Sequence, residues 1–219
     1  MNNKSSLLIT LCGLDGSGKT TQSTMLMDYF KKNQIKSKYV WLRAPERLTL
    51  PISLFFKSIG ISKGLVTDSG KRKGVTDLSN HITLQKIWKF FLLLDLKFVS
   101  SYKIFSELKK NDILIVDRYV IDTLVDLVID TKDESVIDSI GSKFLKLIPK
   151  NSKIFFLDVN PQVSFDRNHE ENLEILEFRR KLYLKISKIC NMIVIDSSKS
   201  IDDIHNEILK NCNMNNTKN

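Results

Sequence analysis

The sequence of 219 residues is poor in cysteine, histidine and long apolar runs. Its three cysteines, Cys12, Cys190 and Cys212, lie far apart and form no Cys-x-x-Cys pair. This spacing excludes a disulfide framework and, with only three scattered histidines, a zinc motif. No apolar run reaches the roughly 18 residues that a membrane span needs, and no cleavable signal pattern follows Met1. We therefore expect reduced cysteines and a cytoplasmic enzyme.

Arginine is also scarce, whereas lysine is abundant. The chain has seven arginines and 27 lysines against 25 acidic residues, and its formal net charge is +9. A basic chain suggests anionic partners such as nucleotides or nucleic acid, but lysines spread along the chain are typical of a solvated surface. The best basic patch, Lys71-Arg72-Lys73, has no aromatic residues interleaved with it, as single-strand binding requires. We therefore do not expect nucleic acid as a partner.

Short apolar runs alternate with helical patterns along the chain. The predicted strands are 7–11, 37–42, 113–117, 153–158 and 192–196. The predicted helices are 19–32, 52–59, 81–110, 120–128, 134–147, 173–188 and 201–209. Because most strands are continuous apolar runs, we expect an α/β fold with a parallel sheet between two layers of helices. No linker divides residues 1–212, which are predicted to form one domain, with a loop at 62–80 and a frayed tail at 213–219.

The strongest motif is the segment 13–20, Gly-Leu-Asp-Gly-Ser-Gly-Lys-Thr, which fits the pattern G-x4-G-K-[ST]. It lies between the first predicted strand and the first predicted helix, the context that a phosphate-binding loop (P-loop) requires. Its glycines allow backbone N–H groups to converge on an anion at a helix N-terminus. Lys19 is expected to reach the β- and γ-phosphates, and the Thr20 hydroxyl to hold Mg²⁺. The predicted ATP-binding residues of this segment are Gly13, Gly16, Ser17, Gly18, Lys19, Thr20 and Thr21.

A second candidate site, Asp117-Arg118-Tyr119, ends the third predicted strand. Ligands bind at the carboxyl ends of the strands in parallel sheets. A carboxylate there can act on Mg²⁺ or its waters, and a guanidinium can bind a phosphate through two hydrogen bonds. The alternative is a salt bridge that only caps the strand.

The remaining arginines indicate further contacts, since a planar donor in a lysine-rich chain often marks an anion site. Arg43 follows the second predicted strand, and Arg167 precedes the polar segment 168–172. We predict that this segment is a short lid, near 167–173, that closes over the phosphates and excludes water. Arg167 is predicted to be functional, whereas Arg179 is predicted to lie on a solvated helix face.

Taken together, these motifs resemble those of the thymidylate kinases, within the nucleoside monophosphate kinases. The resemblance extends over nearly the whole chain and includes the acid at Asp15 in the P-loop. Leu42-Arg43-Ala44-Pro45 is similar to the family's T-R-E-P segment, and residues 117–119 stand at its D-R-[YFH]. Residues 180–183 resemble its R-x-x-Y helix, and residues 195–201 resemble the loop that lies beside adenine.

The resemblance implies a five-stranded P-loop fold, transfer of the γ-phosphoryl group of ATP to dTMP with Mg²⁺, and a homodimer. It implies that Asp15 binds the acceptor's 3′-hydroxyl and that Arg43 and Arg118 bind the acceptor phosphate. The implied catalytic residues are Lys19, Arg118, Arg167 and Asp15. The other implied contacts are Asp117 and Tyr119 for the acceptor, Thr20 and Asp117 for Mg²⁺, and Ser198 and Lys199 for ATP.

Several positions depart from the family pattern. Leu92 or Leu93 stands where the family has a phenylalanine that stacks on thymine, Leu96 or Lys97 replaces an arginine, and Leu127 replaces a glutamine. Some members carry a catalytic arginine in the P-loop, where this chain has Gly16. Phe91 or Trp88 is an alternative stacking ring, and helix core is the alternative interpretation of the whole apolar stretch. A kinase for another nucleotide or nucleoside, and a nucleotide-binding module without turnover, therefore remain alternatives.

Overall fold

The computed structural model describes residues 6–42, 48–66, 72–169 and 171–214. The strands are β1 Leu7–Cys12, β2 Ser37–Trp41, β3 Ser62–Val66, β4 Arg72–Thr76, β5 Ile113–Asp117, β6 Ser152–Asp158 and β7 Ile193–Asp196. The helices are α1 Lys19–Lys32, α2 Thr49–Ser58, α3 Ile82–Phe98, α4 Phe105–Lys110, α5 Val120–Thr131, α6 Ser135–Ser139, α7 Gly141–Leu145, α8 Pro161–Asn168, α9 Leu173–Ile189 and α10 Ile201–Asn211. A π-helical segment, Val99–Ile104, joins α3 to α4.

The main sheet has five strands in the order β2-β5-β1-β6-β7, and every pairing in it is parallel. β1 is central, with Leu7 opposite Ile113 of β5 and Leu8 opposite Ser152 of β6. This arrangement confirms the predicted five-stranded parallel sheet. It also brings the loops that follow β1, β5, β6 and β7 to one edge of the sheet.

Apolar side chains pack on both faces of the sheet. On one face, Ile9 and Leu11 of β1 pack with Leu26 and Phe30 of α1 and with Ile208 of α10. On the opposite face, alternate residues of the same strands pack against α3, α5 and α9. The two cores explain why the strands are apolar at successive positions, since a strand that is covered on both sides has no solvated face.

The predicted loop at 62–80 is wrong over most of its length. β3 and β4 form an antiparallel pair there, with Ser62 opposite Thr76 and their hydroxyl oxygens 2.5 Å apart. Beyond the pair, the Leu78 amide donates a 2.7 Å hydrogen bond to the Asp130 carbonyl, which ties the segment to α5. Cross-strand pairing and this contact override the turn-forming composition on which the prediction was based.

Two helix predictions also need correction. α8 was not predicted, although Asn160 caps its N-terminus by accepting from the Gln162 amide and Pro161 is its first residue. The predicted helix 134–147 is divided into α6 and α7, because Ile140 leaves helical geometry with a φ of −123°. Among the described residues, none of the helices has the length and hydropathy that crossing a membrane demands.

Candidate active site

A cleft of about 630 Å³ opens at the carboxyl edge of the sheet. It is bounded by the P-loop and the start of α1, the ends of β2, β5 and α8, and the segment after β7. Its lining residues are Asp15, Gly16, Ser17, Gly18, Lys19, Thr20, Thr21, Gln22, Tyr39, Trp41, Asp117, Arg118, Arg167, Asn168, Ser197, Lys199, Ile201 and Ile204. The structure therefore brings together most of the predicted site residues from five separate parts of the chain.

The P-loop depends on glycine at two points, one because no side chain fits and one because of its backbone conformation. Gly13 has a φ of 141°, and a Cβ there would lie 2.7 Å from the backbone oxygen of Leu157. Gly18 has a left-handed φ of 94° and caps the N-terminus of α1. The two glycines therefore allow the backbone to turn from β1 into the N-terminus of α1, which lines the cleft.

The Lys19 side chain is fixed inside this loop and is 6% exposed. Its Nζ donates hydrogen bonds of 2.9 Å and 2.7 Å to the carbonyl oxygens of Gly13 and Leu14, and lies 3.6 Å from Oδ1 of Asp15. The hydroxyl of Ser17 is buried and has no hydrogen-bond partner within the described parts of the chain. The loop therefore holds an ammonium group and an unused donor beside the N-terminus of α1, a setting that favours bound phosphate.

Asp15 forms an ion pair with Nη2 of Arg118, which joins the P-loop to the residue that follows β5. Arg118 has a left-handed φ of 56°, a conformation that is uncommon for a non-glycine residue and that occurs most often at functional sites. Burial would lower the pKa of Arg118, but Asp15 and Asp122 raise it above its ordinary value. Arg118 therefore stays charged in the cleft and can bind an anion.

Asp117 is 3% exposed and lies at the end of β5. The Tyr39 hydroxyl donates a 3.1 Å hydrogen bond to its Oδ2, whereas its Oδ1 is buried without a hydrogen-bond partner in the described ranges. Burial and the neighbouring carboxylate raise the pKa of Tyr39 to about 12, so the phenol remains a donor. An unused carboxylate oxygen and the Thr20 hydroxyl line the same cleft, and these are oxygen donors that Mg²⁺ accepts together with phosphate.

Helix α8 is fastened to the P-loop at two points. The Ser164 hydroxyl donates a 2.6 Å hydrogen bond to the Asp15 carbonyl, and Nη1 of Arg167 donates a 2.7 Å hydrogen bond to the Gly16 carbonyl. A Cβ on Gly16 would lie 3.2 Å from Cβ of Arg167, so the arginine stem fills the space beside this glycine. The predicted lid residue Arg167 is therefore in contact with the P-loop.

The prediction that Arg179 lies on a solvated helix face is wrong. Its side chain is only 14% exposed and pairs with Asp126 of α5 and with Glu171, which lies between α8 and α9. The sequence did not indicate this cluster, since its three members are spread over 54 residues of chain. Its nearest signal is the spacing of Asp122 and Asp126, which lie one turn apart on one face of the largely apolar helix α5.

Some predicted contacts are placed outside the cleft. Tyr119 is 1% exposed, and its hydroxyl bonds to Ser100 and donates to the Leu147 carbonyl. It therefore fills the core and does not contact a ligand in this arrangement. The Ser198 amide bonds to the Asp196 carboxylate, and it is Ser197 that lines the cleft beside Lys199. The prediction for Arg43 lies outside the described residues.

The departures on α3 and α5 are part of the core. Leu92, Leu96 and Leu127 are at most 6% exposed, and Leu93 is half-buried against them. Lys97 is exposed to solvent. The proposed stacking substitute Trp88 packs on Phe56, with ring centroids 5.5 Å apart, and Phe91 contacts Phe90 at 5.4 Å. Within the described residues α3 contributes no lining to the 630 Å³ cleft, so none of these side chains faces it.

Sequence reasoning missed several residues of the site, and three of them need comment. Tyr39 orients Asp117, Trp41 lines the cleft, and Ser164 fastens α8 to the P-loop. Tyr39 and Trp41 lie on the same side of β2, with Val40 between them. This pattern is indistinguishable from ordinary strand packing. Ser164 could have been found only through α8, whose start was signalled by Asn160-Pro161.

The sequence is similar to those of known proteins. Residues 78–208 match the sequence profile of the family described as thymidylate kinase. The probable thymidylate kinase of Methanocaldococcus jannaschii is 29% identical over 212 residues, which are 93% of this chain and 94% of that protein. Probable thymidylate kinase 1 of Saccharolobus solfataricus is 26% identical over 213 residues, 93% of this chain and 95% of that protein.

A solved structure has a similar fold. The crystal structure of thymidylate kinase from Ehrlichia chaffeensis superposes with a TM-score of 0.60, at 22% sequence identity. The superposition covers 96% of this chain and 100% of that one. The family profile alone matches more than half of the chain, and it includes β5 with Asp117-Arg118, α8 and α9. This protein belongs to the thymidylate kinase family.

Proposed function

We propose that this protein transfers the γ-phosphoryl group of ATP to dTMP and uses Mg²⁺ to do so. The observation that carries the proposal is the convergence of three cationic side chains on the P-loop. Lys19 bonds to the carbonyls of Gly13 and Leu14, Arg167 to that of Gly16, and Arg118 pairs with the Asp15 side chain. Phosphoryl transfer needs positive groups around the transferring phosphate far more than it needs covalent chemistry.

Each of these side chains has a distinct role in the proposal. Lys19 binds the β- and γ-phosphates of ATP, and Arg118 binds the acceptor phosphate from the end of β5. Arg167 contributes a donor for the charge that is spread over the equatorial oxygens in the transition state. Asp15 orients the acceptor by binding the 3′-hydroxyl of its sugar. The ion pair of Asp15 with Arg118 holds the arginine in place. The protein thus contributes to catalysis by aligning the two phosphates and by excluding water.

Thr20 and Asp117 would hold the Mg²⁺ ion together with the nucleotide phosphates. Bound there, the ion would neutralise phosphate charge and orient the two phosphates. The structure contains no cluster of three or more His, Cys, Asp or Glu side chains that could hold a metal among the described residues. A site with one carboxylate and one hydroxyl fits Mg²⁺, which keeps several waters and binds mainly through substrate phosphates.

We also propose a homodimer that forms through an apolar stripe on α3, the π-helical segment and α4. The stripe consists of Ile87, Phe90, Phe98, Tyr102 and Phe105, which are between 39% and 69% exposed. Leu54 and Phe55 of α2, a helix that packs beside α3, are 58% and 52% exposed. Apolar side chains that continue over adjacent helices are characteristic of a protein interface. A second copy of the chain is the occupant that family resemblance implies.

The test of the activity is a coupled assay of ADP release with ATP and Mg²⁺. The acceptors are dTMP, dUMP, other nucleoside monophosphates, thymidine and none, and Lys19→Ala is the control. We expect turnover with dTMP that falls at least about a hundredfold in the variant, because a preorganised cation is lost. Turnover with another acceptor but not with dTMP would contradict the acceptor assignment. Binding of ATP without any turnover would contradict the kinase assignment.

A further inference from the structure

Arg179 joins three parts of the chain through a single guanidinium. Its Nε lies 2.7 Å from a carboxylate oxygen of Glu171, and its Nη1 lies 2.6 Å from Oδ1 of Asp126. The side chains of Arg179 and Glu171 are 14% and 10% exposed, so this pair is largely removed from water, whereas Asp126 is 37% exposed. Ion pairs in such surroundings are held far more firmly than pairs at the surface.

The two carboxylates belong to segments that carry the arginines of the active site. Asp126 lies in α5, the helix that begins immediately after Arg118 and Tyr119. Glu171 follows the C-terminal end of α8, four positions after Arg167. Arg179 itself lies in the second turn of α9. Its guanidinium therefore connects the element that carries Arg118 to the element that carries Arg167.

A second link, between α9 and α5, lies one turn further along α9. The Tyr183 hydroxyl donates a 2.8 Å hydrogen bond to Oδ1 of Asp122, one turn before Asp126 on α5. The Tyr183 ring also stacks on Phe156 of β6, with the centroids 5.1 Å apart. This link fixes α9 against α5 and the sheet independently of Arg179. What Arg179 adds is the contact to Glu171 and so to the end of α8.

We propose that Arg179 is a positioning residue for the phosphoryl transfer: by pairing with Glu171 and Asp126, it keeps the C-terminal end of α8 in place and so holds Arg167 against the P-loop. The inference depends on the kinase function proposed above. Burial alone would lower the pKa of Arg179, but Asp126 and Glu171 raise it above its ordinary value, so the link persists at every working pH. Loss of the guanidinium would leave two partly buried carboxylates without this cation, and their repulsion would separate α8 from α5.

The test compares Arg179→Met with Arg180→Met. Arg180 is the adjacent arginine and also forms a two-bond pair, at 2.7 Å and 2.8 Å to Asp158, but it lines a separate groove on α9. We expect kcat to fall about a hundredfold in the first variant, because a small displacement of a catalytic group has an effect of this size. The second variant should keep kcat. Equal kcat values for the two variants, measured below both melting temperatures, would overturn the proposal.

Glu171→Gln separates positioning from stability, because it removes the charge of the ion pair to Glu171 and so weakens the contact to α8, while the Arg179–Asp126 pair stays intact. We expect it to lower kcat with little change in the melting temperature and in the KM for ATP. In an Arg167→Ala background, neither Arg179→Met nor Glu171→Gln should lower kcat further, since both act through Arg167. Full additivity of the effects would show that Arg179 acts by another route.

Hydrogen exchange gives a readout that does not need turnover. We expect the backbone amides of α8 to lose protection in Arg179→Met and in Glu171→Gln, but not in Arg180→Met. If the wild type transfers no phosphoryl group while α8 still responds in this way, the proposed function fails and the link through Arg179 stands. Unchanged protection of α8 in both variants would refute the link itself.

Discussion

Nη1 of Arg167 donates a 2.7 Å hydrogen bond to the carbonyl oxygen of Gly16, and the Cβ atom of the arginine lies beside the space that a side chain at position 16 would occupy. Position 16 is where the resemblance places a catalytic arginine in some members of the family. In this protein an arginine thus reaches the same part of the P-loop from α8. The absence of a side chain at Gly16 leaves the space beside which the Arg167 side chain lies.

Arg167→Ala should therefore lower kcat with ATP and dTMP by about a hundred- to a thousandfold, the usual effect of removing a donor to the transition state. The affinity for ATP in the absence of acceptor should change little, since Lys19 and the P-loop backbone remain. Steady-state kinetics and calorimetric titration with ATP measure the two effects. Arg167→Lys is the control and should recover part of kcat. A kcat within threefold of the wild type for Arg167→Ala would show that Arg167 is not catalytic.

Gly16→Ala should destabilise the protein by roughly 1–3 kcal/mol, because Gly16 has a left-handed φ of 83° and its new Cβ would lie 3.2 Å from Cβ of Arg167. Displacement of Arg167 should lower kcat as well. Gly64→Ala is a matched control, since a Cβ on that residue of β3 would meet no atom within 4 Å. Thermal unfolding and the ADP-release assay test both variants. Equal melting temperatures would contradict the role of Gly16.

Tyr39→Phe should raise the Mg²⁺ concentration needed for half-maximal activity, because the Tyr39 hydroxyl orients Asp117 through its Oδ2. The lost hydrogen bond should also lower the free energy of unfolding by about 1 kcal/mol. Tyr102→Phe is the control, since Tyr102 is 69% exposed. A Mg²⁺ titration of activity measures the effect, and an unchanged midpoint would separate Tyr39 from metal binding.

The stability of the protein should depend on pH through Asp122. Burial raises the pKa of this carboxyl from the ordinary 3.8 to about 6, although Arg118, Lys19 and the Tyr183 hydroxyl act in the opposite direction. Because the folded-state pKa lies above the unfolded-state pKa, the folded protein binds the extra proton. Its stability therefore decreases as the pH rises from about 4 to about 6.

Asp122→Asn should remove this dependence. Above pH 6 the variant should be more stable than the wild type by at most roughly 3 kcal/mol, and below pH 4 the two should be alike in this respect. The amide oxygen can still accept from Tyr183. Urea unfolding at several pH values measures the difference. A variant that is less stable than the wild type at pH 7 would show that Asp122 is stabilised by its surroundings as an anion.

Phe90→Asp should convert the proposed dimer into a monomer. Phe90 is 58% exposed in the centre of the apolar stripe on α3, and a carboxylate there would have to be desolvated in the interface. Ile201→Asp is a control at a comparably exposed position, 57%, on α10 at the other face of the sheet. Sedimentation velocity of the wild type and both variants tests the proposal. A monomeric wild type would remove it.

The five strands and the P-loop were predictable from the sequence because their signals are local. A parallel strand that is covered on both faces is apolar at most positions, as β1 and β5 are, and the P-loop pattern occupies eight successive residues. The register of the sheet then follows from few alternatives, since the loops that carry Lys19 and Asp117 must reach one edge. These features confirm the fold class that the sequence predicted.

The contacts between distant segments were not predictable in the same way. Arg179 and Asp126 are polar residues on helices, and nothing in either sequence segment distinguishes a buried pair from two solvated side chains. The pairing of β3 with β4 was missed for a related reason, because their glycines and charged residues are typical of loops, and the pair is held by cross-strand bonds. A local sequence pattern predicts local structure, whereas the Arg179–Asp126 pair and the β3–β4 pairing depend on contacts with other segments of the chain.

The central place of β1 determines when the protein can acquire its activity during synthesis. β1 leaves the ribosome before its neighbours β5 and β6, which follow about 100 residues later or more. The backbone of Leu157 in β6 lies directly against Gly13, so the P-loop lacks part of its support until β6 has emerged. A nascent chain therefore carries the ATP-binding motif long before it has an ATP-binding site. Until β5 and β6 are synthesised, both edges of β1 are unpaired, and an unpaired strand is prone to aggregation.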